Sequence, residues 1–421
     1  MRIKKTILSL INQEYFFSVL SKMIGVVVAV VYSAFYTRYL GSVLKGDAAI
    51  ISNYISLISS FAAVGMYQAY PYYKKKEKDI FYSFINNMTS LYLVMMIISV
   101  IITCLVPINN NLKFAICIVP VQSFIRHINY VVMIEAPKRR NIASIIVSLQ
   151  DVVVVVAFFF LSEASYFNLL LILTIQNLLN LIVSWAILKV DFCKLRIDFS
   201  NVWKYAKYGF LPMITLFLMT INYRIDILML EDVFHISKSE IGIYSVGVSL
   251  AEKIWLIPDA LKDILMSHLA KGADRHETAK VTRISLFLVF LMSLMLIVLG
   301  KPAVLLLYGA EYEKAYMVLV ILMVGVIGMI FYKMVYAYNV VNGNKMINLI
   351  FLVIAAVVNV VGNYLFIPIG GIIAASWASV ASYVVCGFIF LIYFCIKEKI
   401  KITDMLFIKK QDIAMFKSFF K

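Results

Sequence analysis

Charge is scarce in this chain. Asp, Glu, Lys and Arg make up 15% of its 421 residues, against about a quarter in a soluble domain. That shortage excludes an ordinary soluble fold, and a hydrophobic content of 63% with a mean hydropathy of +0.91 points to a membrane. Acidic residues are scarcer than basic ones, 23 against 39, which leaves a net charge of +16. On a soluble chain that balance would suggest nucleic acid. Here lysine and arginine concentrate in short loops, where they act as topology signals, so nucleic acid is not expected as a partner. The five cysteines, Cys104, Cys117, Cys193, Cys386 and Cys395, lie in or beside apolar segments without C-x-x-C spacing, which argues against metal or redox work. The four histidines, His127, His235, His268 and His276, show no ligand spacing either. There is no glycine-rich phosphate loop and no H-E-x-x-H. No cofactor, metal or enzymatic activity is expected, and any energy must come from an ion gradient, the membrane potential or the substrate's own gradient. Met1-Arg-Ile-Lys-Lys looks like a signal-peptide start, but the apolar run Ile7 to Ile11 is too short and no small-residue cleavage site follows. The N-terminus is therefore expected to be retained.

What the chain has in abundance is apolar runs of about twenty residues, each long enough to cross a hydrocarbon core of about 30 Å as a helix. Twelve are expected, at 16–37, 48–70, 81–106, 114–135, 141–161, 166–188, 207–230, 241–267, 283–300, 315–340, 346–367 and 372–396. The longest internal connection, Lys189 to Ala206, is basic. The expected fold is an all-α polytopic membrane protein with a six-helix lobe over 1–190, a cytoplasmic linker at 191–206, a second six-helix lobe over 207–396 and a basic cytoplasmic tail at 397–421. Its orientation follows from the basic residues. Lys74, Lys75, Lys76, Lys138, Arg139, Arg140, Lys194, Arg196, Lys204, Arg275, Lys280, Arg283 and the tail lysines fall on the side of the N-terminus. The opposite loops hold only Arg38, Lys45, Lys113, Lys238, Lys301 and Lys314. Both termini are therefore expected inside. The tail, with Phe407, Ile408, Phe416, Phe419 and Phe420 among lysines, suits an anionic inner leaflet. Tyr70, Tyr72, Tyr73 and Tyr312 fall at span ends, where interfacial anchors belong.

Six cations fall inside the spans: Lys22, Arg126, Arg224, Lys253, Lys262 and Lys333. Lys22 lies near an end and can snorkel. The others would each cost about 2.5–3.5 kcal/mol facing lipid, so a watery cavity or an acidic partner is expected. In Ile221-Asn222-Tyr223-Arg224-Ile225-Asp226-Ile227-Leu228-Met229-Leu230, Arg224 and Asp226 are two apart and point in different directions, so they cannot pair along the helix. If that helix enters near Lys207, 1.5 Å per residue puts Arg224 about 25 Å on, in the outer part of the membrane. Arg38, in Tyr36-Thr37-Arg38-Tyr39-Leu40-Gly41, holds a similar place at the end of the first span, a faint trace of a two-fold repeat. On the eighth span Ser245, Ser249, Glu252, Asp259, Asp263 and Ser267 are spaced as one polar stripe of a continuous helix. Pro258 implies a kink beside it, and Asp259 can pair with Lys262 at i, i+3. Arg126 and His127 either line a cavity or form a buried pair bonded to Asn129 or to backbone. Gln150 and Asp151 suit interhelical hydrogen bonds. Glu135 belongs near Lys138 at the inner interface, and Lys333, close to Tyr332 and Tyr336, either reaches the cavity or snorkels.

Several stretches in order resemble the polysaccharide-biosynthesis branch of the multidrug/oligosaccharidyl-lipid/polysaccharide exporter superfamily. They are Tyr39-Leu40-Gly41 with Lys45-Gly46, Gly65-Met66-Tyr67-Gln68-Ala69, Tyr223 to Leu230, Glu240-Ile241-Gly242-Ile243-Tyr244-Ser245-Val246, and Ile257-Pro258-Asp259-Ala260-Leu261. Later come Leu307-Tyr308-Gly309-Ala310-Glu311-Tyr312, Asn342-Gly343-Asn344-Lys345, Asn359, Asn363 and Ile367-Pro368-Ile369-Gly370-Gly371. The resemblance implies two six-helix lobes of the multidrug-exporter (MATE-like) type around a central cavity, and alternating access. It implies an O-antigen- or capsule-type flippase in the bacterial cytoplasmic membrane, moving an undecaprenyl-pyrophosphate-linked oligosaccharide from the inner to the outer leaflet of the lipid bilayer. A polysaccharide polymerase and a chain-length regulator would be its partners. Arg224, with Arg38, Arg126, Lys253 and Lys262, would attract the pyrophosphate, since guanidinium forks give charge-assisted bonds. Asp226, Glu252, Asp259 and Asp263 would position these cations or exchange protons. Two rivals stand beside this reading: a drug/cation antiporter of the same fold, which calls for a mainly acidic cavity, and a membrane oligosaccharide polymerase, which calls for a long outer loop rich in arginine. A structural membrane partner without transport is a third.

Overall fold

The computed structural model describes residues 2–62, 64–77, 80–270, 272, 274–409 and 412, except for the side chains at 2–24, 26, 137, 138, 267 and 270. The expectations for the side chains of Lys22 and Ser267, for Lys138 as a neighbour of Glu135, and for Phe416, Phe419 and Phe420 lie outside these residues. Every regular element described is helical: α1 (Arg2–Ala62), α2 (Tyr70–Lys76), α3 (Ile80–Leu105), α4 (Asn110–Glu135), α5 (Pro137–Leu161), α6 (Tyr166–Leu188), α7 (Val202–Asp232), α8 (Lys238–Glu252), α9 (Leu256–Ala270), α10 (Arg275–Tyr308), α11 (Glu313–Val341), α12 (Lys345–Glu398) and α13 (Ile402–Leu406). Several starts are fixed by side-chain caps. Asn109 accepts from Leu112 N at 2.7 Å, Ser165 from Asn168 N at 3.1 Å, and Asp274 from His276 N at 3.0 Å. Each cap satisfies an amide that the first helical turn leaves open.

Ten helices among the described residues are long and apolar enough to cross a membrane. Two apolar runs expected at each end of the chain are joined into longer helical segments, α1 of 61 residues and α12 of 54. Each is interrupted by glycine, at Gly41 (φ 65, ψ 175) and at Gly370–Gly371, where Gly371 has φ 52. Positive φ is the conformation in which a side chain is strained, so glycine stands where the helix changes direction. The second span also ends earlier than expected. The α1 helix stops at Ala62, and Gly65 turns the chain into a short 3-10 stretch, Met66–Ala69, before α2. A Cβ on Gly65 would lie 2.1 Å from the carbonyl oxygen of Gly209, and one on Gly209 would lie 2.2 Å from that of Gly65. The glycine pair is what lets α7 touch this turn.

The chain forms two compact units, Met1–Met213 and Ile214–Lys421, with the division inside α7. In the first unit, α2 and the facing sides of α3 and α4 bury Met66, Tyr70, Phe84, Ile85, Met88, Tyr92, Ile128 and Val131 with Tyr205. Tyr70 is thus a core residue, not an interfacial anchor; its ring packs 4.9 Å from that of Phe84 and its hydroxyl donates to Glu135. Glu135 pairs with Lys74 at 2.8 Å. The basic segment 191–206 is tied down by α3. Asn86 Nδ2 donates to Lys194 O at 3.3 Å, and Asn86 Oδ1 accepts from Arg196 N at 3.1 Å. Ser90 accepts from Asp198 N, and Asn87 bonds both the Asp198 carboxylate and Asn201 N, each at 2.8 Å.

In the second unit α11 packs against α8, α9, α10 and α12. Its approach to α12 depends on glycine: a Cβ on Gly387 would fall 2.0 Å from Gly328 O, the small-residue contact by which membrane helices come close. Tyr312 is fully buried here, again not an anchor. Arg283, expected as a loop cation that sets topology, is 6% exposed. Its Nε and Nη2 donate to the Asp412 carboxylate at 2.9 and 3.0 Å, and Nη1 donates to Asp404 O at 2.6 Å. This part of the tail is therefore held against α10.

Candidate functional site

The eighth expected span is one membrane-length helical segment, Lys238–Met266, interrupted by a 3-10 turn. Pro258 has no N–H to give to the carbonyl one turn back. The ladder accordingly leaves α geometry at a 3-10 turn, Lys253–Trp255, and resumes in α9 with Pro258 in its first turn. This splits the expected polar stripe. Ser245 is buried and returns its hydroxyl to Gly242 O at 2.7 Å, while Asp263 is exposed. Glu252 closes α8 and Asp259 opens α9, so the two carboxylates flank the turn.

Each carboxylate holds cations on other turns or helices. Arg224, on α7, gives Nη2 to Glu252 Oε2 at 3.1 Å, with Nη1 3.0 Å from Oε1. Asp259 Oδ1 accepts from Lys262 at 3.1 Å, as its spacing implied, and from Lys333 on α11 at 2.7 Å. Lys333 is 7% exposed, and its ammonium lies 5.0 Å from the centre of the Trp255 ring, a cation–π distance. Trp255 in turn packs on Tyr223 at 4.7 Å and on Tyr383 at 5.8 Å. The Trp255 Nε1 and the Tyr223 hydroxyl are buried without a hydrogen-bond partner among the described residues. Lys253 is half-buried on the same turn.

Arg224 and Asp226 do part company, as their spacing required. Asp226 is 4% exposed and accepts from Tyr244 on α8 at 2.5 Å, from Ser379 on α12 at 3.3 Å and from Ile227 N at 2.8 Å. Asn222, one turn earlier, accepts from Ser382 at 2.5 Å, and its backbone carbonyl accepts from Asn359 at 3.3 Å. The α7 face that bears Asp226 is thus bonded to α8 and α12, and the Arg224 fork reaches the end of α8.

The structure brings together Arg224, Asp226, Glu252, Asp259 and Lys262 in the second unit. Arg38 and Arg126 belong to the first. Arg38 is exposed just before the Gly41 break. Arg126 Nη2 donates to Ser59 at 3.3 Å. His127 is fully buried against Tyr92, whose hydroxyl lies 2.9 Å from Nδ1, rather than bonded to Asn129; Asn129 accepts from Ser184. Asp151 contributes its backbone carbonyl, not its carboxylate, to Gln176. Sequence reasoning named Lys333 as a cation that reaches the cavity or snorkels, without its partner, and left out Tyr223, Trp255, Tyr244, Ser379 and Tyr383 as site members. Lys333 carried a signal, being a cation inside a span, but no spacing rule joins it to Asp259. Among the described residues no group of His, Cys, Asp and Glu could hold a metal ion. What the cluster offers is charge: planar and point cations matched to carboxylates, a chemistry suited to binding an anion.

This succession of helices, with glycine breaks in its first and last long segments, is a fold shared with several membrane proteins of solved structure. It matches the lipid II flippase MurJ in an inward closed conformation with a TM-score of 0.74 at 15% identity, over 96% of this chain and 92% of that one. An inward-facing multidrug resistance MATE family transporter matches with a TM-score of 0.63 at 11% identity, over 89% and 94%. A MOP superfamily transporter from Pyrococcus furiosus matches with 0.61 at 12%, over 90% and 94%. No curated protein matches the chain by sequence. The family model described as polysaccharide biosynthesis protein matches residues 37–317, and the chain belongs to that family.

Proposed function

We propose that the chain is a flippase that carries an undecaprenyl-pyrophosphate-linked oligosaccharide repeat, of O-antigen or capsule type, from the inner to the outer leaflet of the bacterial cytoplasmic membrane by alternating access. The observation that carries this reading is the placing of Arg224, Lys262 and Lys333 inside apolar helices, each on a carboxylate partner. A fold that needed only to pack would do as well with apolar residues at such positions. Membrane-embedded charge is retained where a charged cargo or ion passes. Arg224 is the principal pyrophosphate ligand in this reading, with Lys262, Lys253, Arg38 and Arg126 as further cations. Glu252, Asp259 and Asp263 tune them. Asp226, walled by Tyr244 and Ser379, is the carboxylate for ion coupling.

Helix length supports a reading with twelve crossings. At 1.5 Å per residue, α1 and α12 would each run about 80–90 Å, more than twice a hydrocarbon core of about 30 Å. Each crosses twice, turning near Gly41 and near Gly370–Gly371, and both termini face the cytoplasm as the basic loops require. The functional lobes are 1–190 and 207–396, joined by the cytoplasmic linker 191–206 and followed by the tail 397–421.

The test is Arg224→Ala in a strain that depends on this chain for surface polysaccharide. Surface polymer is lost, the lipid-linked repeat accumulates inside and the protein level stays near normal. Normal surface polymer in this variant would overturn the role of Arg224. Binding of organic cations in competition with protons would favour the antiporter, and polymerisation of the lipid-linked repeat by the purified chain would favour the enzyme.

A further inference from the structure

We infer that Glu252 and Asp259 are internal stand-ins for the substrate's pyrophosphate: they occupy its cations while the protein is empty, give them up on binding and reclaim them on release. This rests on the reading of the chain as an exporter of a lipid-linked pyrophosphate. It makes the two carboxylates positioning residues whose loss strengthens binding and slows transport.

The Arg224 fork carries the argument. Nη2 hydrogen-bonds Glu252 Oε2 at 3.1 Å, and Nη1 stands 3.0 Å from the buried Oε1. A carboxylate and a phosphate present the same two-oxygen edge to a guanidinium. An incoming pyrophosphate therefore takes this edge of Arg224 by replacing Glu252. At Asp259 a single oxygen, Oδ1, serves two ammonium groups, Lys262 at 3.1 Å and Lys333 at 2.7 Å. A phosphate with several oxygens serves both cations without sharing one atom.

Access separates these pairs from the buried carboxylate of Asp226. The side chains of Arg224 and Glu252 are 32% and 21% exposed, and that of Asp259 is 43% exposed. None of these three side chains is sealed within the packed helices. Asp226 is 4% exposed and held by two hydroxyls, so it stays where it is.

The placing of the two carboxylates links binding to movement. Glu252 ties one end of the Lys253–Trp255 turn to α7, and Asp259 ties the other end to α11. Exchange of both for pyrophosphate frees the turn from both helices in one event. Re-forming both ties expels the pyrophosphate and restores the empty state. A ligand shifts a conformational balance only through contacts that differ between the states, and this exchange supplies that difference.

The experiment uses the purified full chain in lipid nanodiscs for binding and in vesicles for flipping, with undecaprenyl pyrophosphate and inorganic pyrophosphate as probes. Glu252→Gln is expected to bind undecaprenyl pyrophosphate about tenfold more tightly than the parent protein while its maximal flipping rate falls by about tenfold, the scale set by losing one competing charge contact. Asp259→Asn moves both quantities in the same directions by a smaller factor, and Glu252→Asp, which keeps the carboxylate, stays near the parent. Arg224→Ala loses binding. If Arg224→Ala loses binding but neither Glu252→Gln nor Asp259→Asn tightens it, the stand-in role is overturned and the flippase reading is kept. If the parent and Arg224→Ala bind undecaprenyl pyrophosphate equally, the flippase reading itself fails at this site. Tightening toward inorganic pyrophosphate as well supports exchange at the diphosphate; tightening confined to the lipid form overturns it. Should Glu252→Gln not fold, Asp259→Asn, which unlike an alanine keeps an acceptor oxygen for Lys262 and Lys333, decides the matter by the same comparison.

Discussion

The two units handle polar groups inside apolar helices in different ways. In the N-terminal unit the work is done chiefly by amides, hydroxyls and an imidazole. Tyr92 meets His127, Asn111 joins Asp47 to Tyr166, and Tyr32 donates to Gln176. Among its described ion pairs, Lys74–Glu135 and Lys204–Glu77 stand at helix ends. In the C-terminal unit the pairs Arg224–Glu252 and Lys333–Asp259 stand between helices. Bonds between neutral groups fix helices in place at modest net gain. An ion pair between helices is stable only while both members are present, and leaving one member alone is costly. The first arrangement suits a scaffold; the second suits a part that responds to a charged visitor.

The largest expected effect tests that contrast directly. Asp259→Ala leaves Lys333, 7% exposed, without its carboxylate. A buried cation so stranded costs about 3–5 kcal/mol, reduced here to about 2–4 kcal/mol because Asp259 itself is half exposed. Replacing both partners, Lys333→Met with Asp259→Ala, removes the charge as well as its counter-ion and is expected to return stability to within about 1 kcal/mol of the parent. Thermal unfolding of the single and double variants in detergent measures this cycle. A double variant no more stable than Asp259→Ala would show that Lys333 and Asp259 act independently.

How much of this could be read from the sequence depends on distance along the chain. Helix spans were legible because each is a continuous apolar run. The Asp259–Lys262 pair was legible because i, i+3 neighbours share a helix face. The parting of Arg224 and Asp226 followed from the same geometry. Lys333 is 74 residues from Asp259 and Arg224 is 28 from Glu252, and no local rule reaches that far. The continuous helices through Gly41 and Gly370–Gly371 were hidden for another reason: a glycine break and a short loop look alike in hydropathy. Pro258 announced a bend, but not that the helix would pass through a 3-10 turn and divide the stripe of polar residues. Arg283 shows the limit of counting charges, since a loop cation that suits topology is also the buried partner of Asp412.

The neutral side of the comparison predicts a smaller loss. Asn87 donates to the Asp198 carboxylate and accepts from Asn201 N, holding the linker to α3. Asn87→Ala removes both bonds and is expected to cost about 1–2 kcal/mol, with pyrophosphate binding by the C-terminal unit unchanged. Thermal unfolding and proteolysis between residues 191 and 206 report the first effect, and binding of undecaprenyl pyrophosphate reports the second. Weakened binding would mean that the linker's attachment influences the charged cluster, and the separation of roles between the units would not hold.

The smallest effect concerns Asp198 itself, in the linker. Hydrogen bonds from the Ser200 backbone and hydroxyl, with Asn87 adding to them, hold its carboxyl below the usual aspartate range. A carboxyl whose folded value is lowered binds protons more readily when released. Its contribution is therefore fully present above the ordinary aspartate value near 3.9 and is lost as pH falls through the lower folded value. Asp198 is only half-buried, and solvent screening keeps the contribution small. Asp198→Asn should flatten the acid limb of linker protection against proteolysis slightly and leave protection at neutral pH nearly unchanged, because an amide oxygen still accepts from Ser200 N. An acid limb identical in the variant and the parent would assign the attachment to the neutral Asn86, Asn87 and Ser90 bonds alone, and the scaffold unit would then owe nothing to charge at this seam.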